Sequence, residues 1–160
     1  MTNPKCLVYV SSQLAKIRPA APFFFPIDQA ARFTAEYTEE ESHSEPISIK
    51  LVYNSAPSSF GGWGIGSLGG YNASQFTRVS FYLKGTVLGQ MFELKLKDTA
   101  GREDPVPVTV DTLNWKEISF PLDRNTFPNV DFASLDNLNL GFNDSLGSAT
   151  IYADDFEFLP

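Results

Sequence analysis

At 160 residues and a formal net charge of -7, the chain has the length of one domain with a two-layer core. It lacks the basic face that nucleic acid or an anionic membrane surface requires. Eleven glycines, eleven prolines and an aromatic content of 14% dominated by phenylalanine favour many short strands over a helical bundle.

The single cysteine, Cys6, excludes an internal disulfide, and no apolar run approaches the ~20 residues of a spanning helix. No export signal is visible near Met1, so the chain is expected to be cytoplasmic if complete and secreted if excised from a larger precursor.

Cys6 to Val10 reads as a first strand, followed by irregular chain. Pro19, Pro22 and Pro26 bracket Phe23, Phe24 and Phe25, which predicts a loop packed across one end of the fold; an exposed aromatic anchor is the alternative. Phe33, Ala35 and Tyr37 alternate with Thr34, Glu36 and Thr38 as a strand. Glu39, Glu40, Glu41, His43 and Glu45 then form a charged hairpin tip that needs only solvent. Ile47, Ile49, Leu51 and Tyr53 mark the inward face of the next strand.

From Phe60 to Tyr71, glycines flank Trp63. No phosphate loop is implied, because a helix does not follow. The glycines admit either a close backbone neighbour or a ligand approaching the Trp63 ring. Val79, Phe81 and Leu83, then Phe92, Leu94 and Leu96, define two half-buried strands joined by a short turn at Gly85 to Gln90. Their outward residues include Tyr82, Glu93, Lys95 and Lys97.

Val106, Val108 and Val110 mark a strand that Pro105 and Pro107 place near a sheet edge. In the next, Ile118, Phe120 and Leu122 point inward and Trp115 outward, as a strand-end plug or a stacking surface. A helical turn at Phe132 to Leu135 precedes a strand with Leu138, Leu140 and Phe142 inward and Asn137 and Asn139 outward. In the last segment Ile151 and Ala153 share one parity and Phe156 and Phe158 the other, which predicts a bulge near Asp154 and Asp155. The fold class is all-β: a single domain over 1–160, built as a two-sheet antiparallel β-sandwich.

The segments 63–65, 71–74, 79–85, 93–98, 115–122 and 151–156 resemble the jelly-roll, galactose-binding-domain-like carbohydrate-binding modules of bacterial glycoside hydrolases, the likeness running from 47 to 158. The resemblance implies a non-catalytic sugar-binding domain, a parent enzyme and, often, a structural calcium. The proline-rich segment and acidic tip near the N-terminus depart from the family pattern.

A sugar presents C–H patches and hydroxyls, so aromatic faces and hydrogen-bonding groups recognise it. Trp63, Tyr71, Tyr82 and Trp115 are the candidate platforms; Glu93, Lys95, Lys97, Asn137 and Asn139 are the candidate polar contacts. Each has a structural alternative, as a core ring, a plug or a solvated face. Asp154 and Asp155 either bind calcium, with Asp28 and loop carbonyls, or cap amides at the bulge; calcium takes six to eight oxygens. Catalysis has little support, because His43 lacks converging partners and any acidic protein offers pairs such as those among Glu93, Asp98, Glu103 and Asp104. The alternative function is a protein-interaction sandwich meeting a partner through Phe23 to Phe25 or the Trp63 loop.

Overall fold

A computed structural model describes residues 7–11, 14–18, 22–24, 32–44, 46–54, 60–65, 68–143 and 148–160. Among these residues twelve strands run in order β1 (Leu7–Ser11), β2 (Leu14–Arg18), β3 (Pro22–Phe24), β4 (Arg32–Thr38), β5 (Ser48–Asn54), β6 (Phe60–Ile65), β7 (Arg78–Gly85), β8 (Met91–Asp98), β9 (Glu103–Thr109), β10 (Lys116–Pro121), β11 (Leu135–Asn143) and β12 (Ser148–Leu159). They form two antiparallel sheets of seven and five strands. The expected helical turn is a single 3-10 turn at Phe132–Ser134, capped by the Asp131 side chain.

The five-stranded sheet has the order β3-β6-β11-β8-β9, with proline-containing β9 at an edge. In the seven-stranded sheet β12 is central. One of its edges pairs with β7, which in turn pairs with β10; the other pairs first with β5 and then with β2. The register of β12 against β7 shifts between Asp154 and Glu157, and Asp155 takes φ +49. This is the expected bulge. It lets Ile151 and Ala153 before it, and Phe156 and Phe158 after it, all reach the core.

The alternation in the sequence becomes the inner faces of the two sheets. Leu51, Phe81, Phe92, Leu94, Leu96, Leu138 and Leu140 are buried in one core with Trp63, Phe127 and Phe158. Gly85 is required where the sheets close, since a Cβ there would lie 2.2 Å from Cγ1 of Val110.

Three local expectations are corrected. The chain after β1 turns back as β2 to make a hairpin (Leu7↔Arg18, Ser11↔Leu14) that docks on β12. Pro22–Phe24 is an edge strand paired with β6 (Phe23↔Gly64, Phe24↔Trp63), because the ladder needs only three residues between the prolines; Phe25 lies outside the described residues. Ile47 precedes β5 and is exposed, while Ser48 is buried with its hydroxyl donating to the Glu41 carbonyl.

Candidate functional site

The eight ligand-binding residues expected from sequence fall into three places. Trp63 is in the core. Its neighbours on β6 face outward as glycines, whereas the indole is fully buried and meets the Phe156 ring at 5.3 Å. Of the two readings left open for this residue, the close-packed one holds, and the expectation of a stacking platform at Trp63 is corrected. Tyr71 is half-buried against Phe158, ring centroids 5.7 Å apart, and bridges to Leu135 through its backbone. Burial raises the pKa of its phenol, with Gln75 acting in the opposite direction. Its ring packs on Phe158, while its hydroxyl has no hydrogen-bond partner among the described residues.

Tyr82 and Trp115 lie on the outer face of the seven-stranded sheet, where the chain itself partly covers them. The acidic segment after β4 folds back across this face as a strap. Glu40 pairs with Lys50 and Glu41 with Lys84, each at 2.7 Å, and the Tyr152 hydroxyl donates to Glu40 at 3.3 Å. The His43 ring stacks on Tyr82 at 3.5 Å and 13°, with Trp115 edge-on at 5.9 Å. The solvated tip expected from sequence is therefore a covering segment. Lysines at outward positions of β5 and β7, residues far apart in the chain, pull its carboxylates onto the sheet.

The same strap engages both aspartates of the bulge. The His43 N–H donates to Asp154 Oδ2 and the Asp155 N–H to Asp154 Oδ1. His43 Nδ1 meets Asp155 Oδ2 at 2.9 Å, and the Ser44 hydroxyl donates to the same carboxylate. Burial pushes the Asp154 carboxyl above its usual range, partly offset by these N–H donors. Oxygens that calcium would take are thus turned to N–H and O–H donors. No group of three or more His, Cys, Asp or Glu gathers as a metal site among the described residues, and Asp28 lies outside them. The contacts described at the bulge are those of the amide-capping alternative, and the calcium expectation extends to Asp28, outside the described residues.

The remaining four residues converge. Glu93, Lys95 and Lys97 on β8 and Asn139 on β11 occupy outward positions of the five-stranded sheet. Asn139 is the direct cross-strand partner of Lys95 on one side and of Gly64 on the other; Asn137 faces Lys97 and Gly141 faces Glu93. Lys95 Nζ lies 3.4 Å from Glu93 and 3.8 Å from Glu103. Its stem crosses β11, where a Cβ on Gly141 would come within 2.8 Å of Cε. Glycine at 62, 64 and 141 contributes no side chain to this face, and all three are buried, Gly141 beneath the Lys95 stem.

Asn139 is the unusual member. It is only 8% exposed, yet its Oδ1 has no hydrogen-bond partner, a condition shared among the described residues by Trp63 Nε1 and the Tyr71 hydroxyl; of the three, Asn139 alone stands among the polar residues of this face. A buried amide oxygen left unsatisfied costs about 1–3 kcal/mol, which a ligand donor would recover.

The other carboxylates of the region are structural. Asp98 accepts from the N–H groups of Ala100, Arg102 and Asp131 and from Arg102 Nε at 2.7 Å. Asp104 accepts from the Asn129 and Val130 N–H groups and the Asn129 side chain. Burial alone would raise both carboxyls, but these donors hold them below the usual range. Neither is available as a catalytic acid, and the pairs considered from sequence do not form around them. Glu103 and Gly141 were missed as members of the polar face, since only the register of β9 and β11 brings them beside Lys95.

No protein-family model and no curated protein matches the sequence. Solved structures do match. A family 11 carbohydrate-binding module from Clostridium thermocellum, in complex with a β-1,3-1,4-mixed-linked tetrasaccharide, aligns with TM-score 0.74 and 14% identity over 94% of this chain and 97% of that one. A family 30 module of a cellulosomal cellulase from the same organism aligns with TM-score 0.69 and 16% identity over 90% and 95%. The module TmCBM61, in complex with β-1,4-galactotriose, aligns with TM-score 0.52 and 17% identity over 88% and 90%. The chain has the two-sheet β-sandwich fold of carbohydrate-binding modules.

Proposed function

We propose that this protein is a non-catalytic saccharide-binding module whose ligand lies on the outer face of the five-stranded sheet. The observation that carries the reading is the buried, unpartnered Oδ1 of Asn139, set beside Lys95 on a face that also holds Glu93, Lys97 and Asn137. Amides, carboxylates and ammonium groups of this kind exchange hydrogen bonds with sugar hydroxyls. The modules of similar fold, two of them described with bound oligosaccharides, support the same reading. Attachment to a catalytic domain that acts on the same polysaccharide would suit such a module, as in the cellulase that carries the family 30 neighbour.

Affinity gel electrophoresis against a series of polysaccharides, including mixed-linked β-glucan and β-1,4-galactan, tests this. At least one should retard the wild-type protein. Asn139→Ala should reduce that retardation about tenfold or more, while Tyr82→Ala should leave it unchanged. A folded protein that no polysaccharide retards would sink the reading.

A protein-interaction role draws on one different observation: Val87, Leu88 and Met91 are exposed around the β7–β8 turn. Replacing Val87 and Leu88 by serine should abolish any partner capture if that role holds, and should leave saccharide binding intact if the first does.

A further inference from the structure

Resting on the saccharide reading, we propose that the Glu93–Lys95–Glu103 ladder determines the charge of the ligand that the five-stranded sheet accepts, and reserves it for uncharged saccharides. The lysine is flanked by two carboxylates, and Lys97, the next outward residue on β8, is itself the cross-strand partner of Glu103. Two positive and two negative groups therefore alternate on this part of the face, within a chain of net charge -7.

The alternation treats hydroxyls and anions differently. A sugar hydroxyl donates to Glu93 or Glu103 while it accepts from the Lys95 ammonium, so it joins the ladder without removing a contact. A uronate or sulfate group seeking Lys95 has to approach two carboxylates placed 3.4 and 3.8 Å from the same nitrogen, and like charges at such range repel. Gly141 completes the arrangement. The space left by its missing side chain lets the Lys95 stem lie over β11, so the ammonium stays over the sheet within reach of Glu93.

The test compares wild-type protein, Glu93→Gln/Glu103→Gln and a charge-matched control, Glu36→Gln/Glu117→Gln, whose exposed carboxylates belong to the other sheet. Each is run in affinity gels containing mixed-linked β-glucan, β-1,4-galactan or polygalacturonate, after a thermal melt has shown that all three are folded. Wild type and control should ignore polygalacturonate. The Glu93/Glu103 variant should bind it about tenfold more tightly than wild type, and adding Lys95→Met to that variant should remove the gain.

A folded Glu93/Glu103 variant that still ignores polygalacturonate overturns the proposal, as does an equal gain in the control. The neutral-glucan and galactan arms report separately on the saccharide reading. Binding there with no acidic gain leaves that reading standing and removes this one; absence of all binding removes both.

Discussion

The outer faces of the two sheets make an instructive pair. That of the seven-stranded sheet carries the aromatic inventory expected of a sugar platform, Tyr82, Trp115 and Tyr152, and the chain has already used it. The strap from Glu40 to Ser44 supplies carboxylates to Lys50 and Lys84, a ring to Tyr82 and donors to Asp154 and Asp155. That of the five-stranded sheet carries charges and amides that resemble an ordinary solvated surface, yet it holds the buried amide oxygen of Asn139 without a partner. Residue type alone therefore does not locate a site. What matters is whether the fold leaves the interactions of those residues unfilled.

The comparison breaks most readily at Trp63, which belongs to neither outer face. Trp63→Ala should cost about 3–5 kcal/mol in a denaturant melt, because it empties a core position that also supports Phe156. A stable variant that had lost only ligand binding would instead return Trp63 to a ligand-binding role.

Asp98→Asn should cost roughly 2–4 kcal/mol by breaking charge-assisted bonds to Arg102, to two backbone N–H groups at the β8–β9 turn and to the Asp131 N–H before the 3-10 turn. The same physics gives a pH dependence. Asp98 and Asp104 have folded pKa values below the usual aspartate range, so the unfolded chain takes up protons first as pH falls. Their contribution is fully present above about pH 5 and is lost progressively below pH 4. Melting temperature should fall steeply through that window, and Asp98→Asn should flatten the slope.

His43→Ala sharpens the contrast between the faces. Losing its stack on Tyr82 and its bond to Asp155 should cost about 1–2 kcal/mol. It should also increase amide exchange over 40–44 and acrylamide quenching of Trp115, while saccharide binding on the opposite sheet stays at the wild-type level. Coupled loss of binding would show that the two faces are not independent.

The smallest stability effect is expected at the proposed site. Lys95→Ala should change the unfolding free energy by less than about 0.5 kcal/mol, since its ion pairs are long and partly exposed. Its signature should be altered ligand preference in affinity gels.

Much of the fold was legible in the chain, because period-two alternation is a local property that the pleat converts directly into inner and outer faces. Val79, Phe81 and Leu83 on β7, the proline-marked edge at β9 and the parity switch at Asp154 and Asp155 all follow from it. The β1–β2 hairpin and the short β3 were not legible. Prolines break the pattern around them, and the pairing of β3 with β6 depends on a partner some forty residues away.

The site divides in the same way. That Glu93, Lys95, Lys97 and Asn139 face outward was set by sequence alone, through their alternation with Leu94, Leu96, Leu138 and Leu140. Which aromatic rings are buried, which face the strap closes and which amide lacks a partner were decided only by the tertiary structure. These depend on strand order and on contacts such as His43 with Asp155, 112 residues apart, that no local pattern encodes. Alternation tells a side chain which way to point; only the packed neighbours determine what it finds there.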